Sequence, residues 1–281
     1  MILTEFAPAK INLFLSIINK REDGYHNIGT MFHTVSCGDI LFGEEDSSGK
    51  ISISYNNPQE YSPEKDLVCR AAVKLKEKHN VSSGVRFYLE KNLPLGAGLG
   101  GGSSDAAAAL RLLNKLWNLN ASSEELEEIG GGLGADIAFF VKGGAALATG
   151  IGNILTPQNA IEDDCCIILA TPKCVVPTAD AYKDVIPAGN LPWQNFLKTT
   201  NPLDNLHNQF EETILKKYPL INFLKQKLNA CGGKSLLSGS GASVFSIFAS
   251  LENAVNAYEM VKGECRFLRV VKLSEPRLAG F

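Results

Sequence analysis

The chain has 281 residues, of which 45% are hydrophobic and 20% charged, values typical of a globular protein with one large domain or two ordinary ones. Its net charge of −3 argues against a general binder of nucleic acid or of membrane surfaces, so an anionic ligand would be held by local groups. The seven cysteines form no Cys-x-x-Cys pair and the four histidines are dispersed, which disfavours both disulfides and a zinc site.

The first half of the chain is predicted to be rich in β-structure. Apolar residues alternate at Ile11, Leu13, Leu15 and Ile17, which indicates a half-buried strand, too short to span a bilayer. Further strands are predicted over 34–42, 50–55, 84–90 and 143–149, and helices over 66–79, 103–117 and 122–129. Ser122 is the predicted N-cap of the last of these helices, with Glu125 at capping-box spacing.

The second half is predicted to begin with a polar linker over residues 156–164. Strands are expected over 165–170, 235–239, 243–248 and 266–273, and helices over 178–185, 205–216, 219–231 and 252–262. This β-α-β-β-α-β-like order suits a ferredoxin-like layer. We therefore predict an α+β fold with two domains, residues 1–155 and residues 156–281.

A glycine-rich loop between the strand over 84–90 and the helix over 103–117 indicates an anion site. Five glycines fall between Gly96 and Gly102, and glycine lets the backbone turn with positive φ and approach a ligand closely. The first N–H groups of a helix lack internal partners and carry partial positive charge, so a phosphate can supply the missing acceptors. Ser103 and Ser104 add hydroxyls at the helix start.

Two familiar phosphate loops do not fit this segment. Gly96, Gly98 and Gly101 match the dinucleotide fingerprint, but a second helix follows where that motif needs a strand. The loop has no lysine, which the Walker A loop requires. A structural turn without a ligand is the remaining alternative, disfavoured because five glycines cost unfolded-state entropy that a turn does not require.

Four segments in order resemble motifs of the GHMP kinases, the superfamily of galactokinase, homoserine, mevalonate and phosphomevalonate kinases. Residues 93–105 resemble its ATP-binding loop, and residues 238–245 its C-terminal glycine motif. Residues 7–13 with 21–26, and residues 133–140, resemble the N-terminal signature and the catalytic aspartate segment of the 4-diphosphocytidyl-2-C-methyl-D-erythritol kinases. The resemblance implies a domain like the second domain of ribosomal protein S5, followed by a ferredoxin-like domain.

The resemblance also implies which residues bind the nucleotide and carry the reaction. The expected ATP loop consists of Pro94, Leu95, Gly96, Ala97, Gly98, Leu99, Gly100, Gly101, Gly102, Ser103 and Ser104. Lys10 and Asn12 share one face of the first strand; the pattern alone favours a solvated face, whereas the resemblance places both at the active site. Asp136, which could simply begin a short helix, is implied to be the catalytic base. We expect it mainly to position the acceptor hydroxyl, because phosphoryl transfer has a loose transition state.

The same resemblance implies a cytosine site. Tyr25 and His26, which could otherwise be a turn and core pair, would stack on the base and read its edge, with further aromatic contacts from Phe32 and Tyr182. Departures from the family pattern, such as Ala138 in place of a frequent proline, bear on local rigidity near the aspartate.

The resemblance therefore implies a cytoplasmic kinase that uses ATP and Mg²⁺ to phosphorylate the 2-hydroxyl of 4-diphosphocytidyl-2-C-methyl-D-erythritol in non-mevalonate isoprenoid synthesis. We expect a small-molecule substrate, no nucleic-acid or membrane partner, no resident protein-held metal, and a monomer or weak homodimer. Two alternatives stay open: another small-alcohol kinase of the superfamily, of homoserine or mevalonate type, and a non-catalytic nucleotide- or RNA-binding module.

Overall fold

The computed structural model describes residues 1–56, 64–161 and 165–274. The strands are β1 Ile2–Lys20, β2 His26–Asp46, β3 Ile51–Tyr55, β4 Gly84–Glu90, β5 Ala145–Thr149, β6 Ile154–Gln158, β7 Cys166–Pro172, β8 His207–Asn208, β9 Lys234–Leu237, β10 Val244–Phe248 and β11 Cys265–Val271. The helices are α1 Leu67–Lys78, α2 Gly101–Leu116, α3 Ser123–Gly131, α4 Ala135–Lys142, α5 Thr178–Lys183, α6 Leu191–Phe196, α7 Glu211–Lys217, α8 Pro219–Ala230 and α9 Leu251–Val261. Short 3₁₀ turns cover Pro202–Asp204 and Lys262–Glu264.

The first sheet is built on the long antiparallel pair β1 and β2. Its hydrogen-bonded order is β3-β4-β2-β1-β8, with β5 paired to β2 and β6 paired to β5. The pairs β3–β4 and β1–β8 are parallel, and the other pairs are antiparallel. Helix α2 packs its apolar face against β1 and β2, and α1 packs against α2 and β3, with the alanine run of α2 fully buried. This packing holds the start of α2 close to the middle of β1.

Strand β1 is buried on both faces along its middle, because helices cover one side and the second sheet covers the other. Ala7 belongs to the helical core, whereas Ile11 and Leu13 pack with residues of the second sheet such as Ile167. The prediction of a half-buried strand from alternation therefore underestimates how deeply β1 is buried. Lys10, predicted by pattern alone to be solvated, is only 4% exposed.

The second sheet lies wholly in the C-terminal part of the chain. Its order is β11-β7-β10-β9 with antiparallel neighbours. Helix α8 precedes β9 and α9 precedes β11, and both bury apolar faces in one cluster with residues of the sheet. This β-α-β-β-α-β arrangement confirms the ferredoxin-like layer and, with the first sheet, the α+β class.

Several predicted element boundaries are wrong for identifiable reasons. The helix predicted over 205–216 begins only at Glu211, because His207 and Asn208 pair as β8 with Phe14 and Leu15 of β1. The linker predicted from residue 156 is instead strand β6 as far as Gln158, paired with β5, so the first sheet continues past residue 155. Residues 162–164 of that linker lie outside the described part. The domain boundary at 155 and 156 stays a prediction.

One further difference concerns the lengths of the first two strands. β1 and β2 are much longer than predicted, because their ends pair with each other even where polar residues interrupt the alternation. Ser122 does cap α3, accepting a hydrogen bond from the Glu125 backbone. Across the three described ranges, no helix combines the length and the apolar character needed to cross a membrane.

Candidate active site

A cavity of about 350 Å³ lies where β1, β2, the glycine loop, α4 and the C-terminal segments meet. Its polar lining includes Lys10, Asn12, Asp136, Thr178 and Ser240. Its apolar and aromatic lining includes Leu15, Ile28, Phe32, Tyr182 and Phe210. The residues from Pro94 to Ser103 form one wall. The cavity therefore lies between strands of the first sheet and the turn that joins β9 to β10 of the second sheet.

The glycine loop adopts a backbone that needs its glycines. Gly96, Gly98 and Gly100 have φ of 60°, 76° and 71°, the left-handed region that other residues rarely adopt. The intervening Ala97 and Leu99 do not have positive φ. Such alternation can turn successive backbone N–H groups toward a common concavity, a form of backbone that binds anions.

The loop leads directly into the N-terminus of α2. Gly100 is the N-cap and supplies no side-chain cap, so the first N–H groups of the helix are not satisfied by a capping side chain. Ser103 lines the cavity, whereas Ser104 is fully buried and its hydroxyl has no hydrogen-bond partner among the described residues. The positive end of α2 therefore faces the cavity, as an anion site requires.

The C-terminal glycine motif packs directly on the first glycine loop. Ser238 Oγ donates to the carbonyl oxygen of Gly98 at 3.0 Å, and the Ser243 N–H donates to that of Ala97 at 3.1 Å. Asn208 of β8 donates from Nδ2 to the carbonyl oxygens of Leu237 and Gly239, at 2.7 and 2.8 Å. These bonds make the motif part of the cavity wall.

Lys10 and Asn12 lie side by side inside the cavity. Lys10 Nζ donates to Asn12 Oδ1 at 2.6 Å and lies 5.2 Å from the centre of the Phe32 ring. Burial lowers the pKa of Lys10, and the nearby Asp136 carboxylate opposes that change by raising it. The cavity therefore holds a lysine whose charge depends on the anions around it.

Asp136 lies in the first turn of α4, whose N-cap is Gly134 rather than Asp136 itself. Asp136 is half-buried and lines the same cavity as the first residues of α2. Arg111 of α2 holds α4 in place by donating to the carbonyl oxygen of Phe140 at 2.6 Å. Burial, together with Asp136, raises the pKa of Tyr182 to about 12, so this phenol stays protonated and can donate.

Of the aromatic residues predicted to hold cytosine, Phe32 and Tyr182 line the cavity, and His26 contacts Tyr182. Tyr182 stacks on His26 with ring centroids 5.2 Å apart and packs edge-on against Phe210. Phe32 lines the cavity and packs on Phe139. Tyr25 is 62% exposed, in the turn before β2, and its side chain is free to meet a ligand from outside.

A buried ion-pair network connects the residues just before the glycine loop to helix α2. Lys91 Nζ lies 2.5 Å from Asp39 and 2.7 Å from Asp105, which is the first-turn neighbour of Ser104 on α2. Asp39 also accepts the backbone N–H groups of Asn92 and Leu93, at 2.6 and 2.7 Å. The network thus ties the entrance of the loop to its helix.

Most of the predicted site residues line one cavity: Lys10, Asn12, Phe32, Asp136, Tyr182 and the loop through Ser103. Tyr25, His26 and Ser104 are outside its lining, although His26 contacts Tyr182. Sequence reasoning missed Lys91, Phe210 and Thr178 as lining residues. Lys91 immediately follows the strand that leads to the loop, which is the one signal that could have suggested it.

Within the described ranges, no group of three or more His, Cys, Asp or Glu residues is arranged to hold a metal ion. Magnesium at a nucleotide site takes many of its ligands from phosphate oxygens and water, so such a protein-built cluster is not needed.

Comparison with known proteins identifies the family. The GHMP kinase N-terminal domain model matches residues 66–144, and the GHMP kinase C-terminal model matches residues 195–266. The 4-diphosphocytidyl-2-C-methyl-D-erythritol kinase of Exiguobacterium sibiricum is 39% identical over 276 residues, covering 95% of this chain and 96% of that protein. The enzyme of the same name from Clostridium perfringens is 36% identical, with 93% and 94% covered.

Solved structures agree with this assignment. A crystal structure of 4-(cytidine 5′-diphospho)-2C-methyl-D-erythritol kinase matches with a TM-score of 0.79 and 32% identity, covering 96% of this chain and 99% of that chain. Homoserine kinase from Cytophaga hutchinsonii, 18% identical, matches with a TM-score of 0.76 over 97% of this chain and 95% of its own, and so shares the fold. The chain therefore belongs to the GHMP kinases, within their family of 4-diphosphocytidyl-2-C-methyl-D-erythritol kinases.

Proposed function

We propose that the cavity transfers the γ-phosphoryl group of ATP to the 2-hydroxyl of 4-diphosphocytidyl-2-C-methyl-D-erythritol. The observation that carries this proposal is that Lys10 and Asp136 face the same cavity as the N-terminus of α2. A donor anion, a cationic side chain and a carboxylate for the acceptor hydroxyl are the parts that phosphoryl transfer to an alcohol requires.

In this proposal the glycine loop and the start of α2 hold the phosphates. Their N–H groups are fixed before the nucleotide arrives, because Ser238 and Ser243 bind the loop's carbonyl oxygens. Fixed donors stabilise developing charge without reorganising during the reaction. The loop's role is therefore positioning and charge stabilisation rather than proton transfer.

Lys10 and Asp136 act on opposite partners in the transfer. The Lys10 ammonium offsets negative charge on the moving phosphoryl group, and Asn12 holds the ammonium in place. Asp136 accepts a hydrogen bond from the substrate hydroxyl and takes its proton late, when the new P–O bond is nearly complete. Because the transition state is loose, orientation of the hydroxyl contributes more than its basicity.

The residues present fit both ATP and Mg²⁺. The left-handed glycines and the uncapped helix start suit a triphosphate, and the Ser103 hydroxyl, which lines the cavity, is an oxygen group of the kind Mg²⁺ accepts. When bound, the metal would neutralise charge on the phosphate oxygens. A neighbouring cavity of about 340 Å³, lined by Leu67, Leu89 and Leu95, offers an apolar surface for the adenine ring.

The proposal is tested by a coupled ADP-release assay with purified protein and a panel of alcohols. We expect turnover of 4-diphosphocytidyl-2-C-methyl-D-erythritol and none above background with homoserine or mevalonate. Asp136→Asn serves as the matched control that separates this activity from a contaminating kinase. Turnover of homoserine or mevalonate alone would overturn the substrate assignment while leaving a small-alcohol kinase.

The proposed substrate also accounts for the aromatic residues in and beside the cavity. His26 and Tyr182 form a stacked pair next to the cavity, and exposed Tyr25 lies immediately before His26. Such rings provide π-faces for a cytosine base, which neither homoserine nor mevalonate carries.

A further inference from the structure

A buried hydrogen-bond chain leads from Lys10 away from the cavity and ends at a backbone carbonyl. Lys10 Nζ donates to Asn12 Oδ1 at 2.6 Å, and Asn12 Nδ2 donates to Thr30 Oγ1 at 2.8 Å. Thr30 Oγ1 then donates to the carbonyl oxygen of Phe14 at 2.6 Å. The three side chains in this series of hydrogen bonds are all buried: Lys10 is 4%, Asn12 1% and Thr30 0% exposed.

The carbonyl oxygen of Phe14, at the end of this series, determines the direction of each hydrogen bond in it. A carbonyl oxygen can only accept, so the single proton of the Thr30 hydroxyl goes to Phe14. The Thr30 oxygen is then left as an acceptor, and only the NH₂ group of Asn12 can satisfy it. The amide of Asn12 is therefore oriented with its oxygen toward Lys10.

The opposite orientation of Asn12 would be costly at both ends. It would place the amide NH₂ against the Lys10 ammonium, where both groups are donors. It would also require the Thr30 hydroxyl to turn toward Asn12, leaving the buried Phe14 carbonyl without its partner. A group that fixes this orientation also fixes where the ammonium lies.

We propose that Thr30 is a positioning residue for phosphoryl transfer, because its hydroxyl sets the Asn12 amide that holds the Lys10 ammonium in the cavity. This inference rests on the proposed function for its effect on turnover, but its effect on Lys10 is independent of any substrate. Thr30 is not among the residues that line the cavity, so its influence passes through Asn12. Burial by itself already disfavours the charged form of Lys10, so the held acceptor matters to its protonation.

The test compares Thr30→Val, which keeps the shape but removes the hydroxyl, with Thr30→Ser, which keeps the hydroxyl. We expect Thr30→Val to lower kcat roughly ten- to hundredfold with KM for both substrates little changed, since misplacement of a reacting group costs rate rather than ground-state binding. Thr30→Ser should recover most of the kcat. Thr30→Ala removes the same hydroxyl and replaces the valine variant if that one does not fold.

Thr34→Val is the matched control on the same strand. Thr34 is also buried, but its hydroxyl bonds to backbone atoms of Gly144 and Ser274 rather than to Asn12. We expect its kcat to equal that of the wild type. An equal loss in Thr34→Val, an unchanged kcat in Thr30→Val, or failure of Thr30→Ser to recover activity would each overturn the inference.

A substrate-free measurement separates this inference from the proposed function. The Lys10 side-chain signal is followed by NMR through a pH titration of lysine-labelled protein, and is identified by its loss in Lys10→Arg. We expect the Lys10 pKa to be lower in Thr30→Val than in the wild type, because the charged form loses a fixed acceptor. An unchanged titration would overturn the role of Thr30 even in a protein that phosphorylates none of the tested alcohols.

Discussion

The Ser238 hydroxyl donates a 3.0 Å hydrogen bond to the carbonyl oxygen of Gly98, joining two glycine motifs that are 140 residues apart in the sequence. The contact is so close that a Cβ built on Gly98 would lie 2.1 Å from the Ser238 carbonyl oxygen. Glycine at position 98 is therefore required by the neighbouring loop as well as by its own φ of 76°. The glycine loop thus takes part of its shape from the C-terminal half of the protein.

If the glycine loop binds ATP as proposed, Gly98→Ala should weaken that binding strongly, because either the two loops separate or the glycine loop changes its backbone. Calorimetric titration with a non-hydrolysable ATP analogue would measure the loss. Gly131→Ala is the matched control, since a Cβ there meets no atom within 4 Å and its helical site favours alanine. Wild-type affinity in Gly98→Ala would contradict the assignment of the loop.

Asp136→Asn should reduce kcat by about 10²–10⁴ while leaving ATP affinity nearly unchanged, because the amide cannot accept the hydroxyl proton. Steady-state kinetics and a separate binding titration would check both parts. Asp184→Asn provides a control, because that carboxylate is exposed and pairs with Lys217. If kcat in Asp136→Asn matched that of the wild type, Asp136 would have no part in the transfer.

The pH dependence of kcat should reflect the buried lysine. Burial is the larger influence and lowers the pKa of Lys10 below 10.5, so the ammonium invoked by the proposed reaction loses its proton at a lower pH than an exposed lysine does. We expect kcat at saturating substrate to fall on the alkaline side below that value. The same decline in Lys10→Arg, whose guanidinium stays charged, would assign it to another group.

Tyr25→Ala should raise KM for the cytidyl substrate roughly five- to hundredfold, the loss expected for one base-stacking contact. KM for ATP should not change, because Tyr25 is not among the residues that line the cavity beside the glycine loop. Tyr88→Ala, which removes another partly exposed tyrosine on β4, is the comparison. Equal KM values for wild type and Tyr25→Ala would remove this residue from the cytosine site.

The ionisation of buried Asp105 should lower the free energy of unfolding as pH rises. Burial raises its pKa well above the usual 3.8, although the Lys91 ammonium acts in the opposite direction. Between these two values the folded protein holds a proton that the unfolded chain has released, so the free energy of unfolding falls as pH increases. Asp105→Asn lacks this group, so its stability relative to the wild type should grow with pH in urea titrations. Parallel stability curves would refute the raised pKa.

Local elements near the site could be predicted because they depend on short-range chemistry. Strand β4 has its predicted bounds, and α1 and α2 lie within two residues of theirs, since apolar spacing and capping residues act over a few residues. The prediction of a helix from residue 205 was wrong, because His207 and Asn208 form strand β8 by pairing with β1. Pairing partners distant in sequence leave no local signal in a two-residue strand.

By itself, the sequence determined the glycine loop, the helix that follows it and the family, because glycine spacing and ordered motifs lie in consecutive residues. Only the tertiary structure decided that Lys10 is buried rather than solvated and that Thr30 orients Asn12. It also decided that the C-terminal glycine motif shapes the first. These relationships depend on which surfaces pack together. β1 is buried on both faces by elements distant from it in sequence, so its own alternation of apolar and polar residues does not reveal that burial.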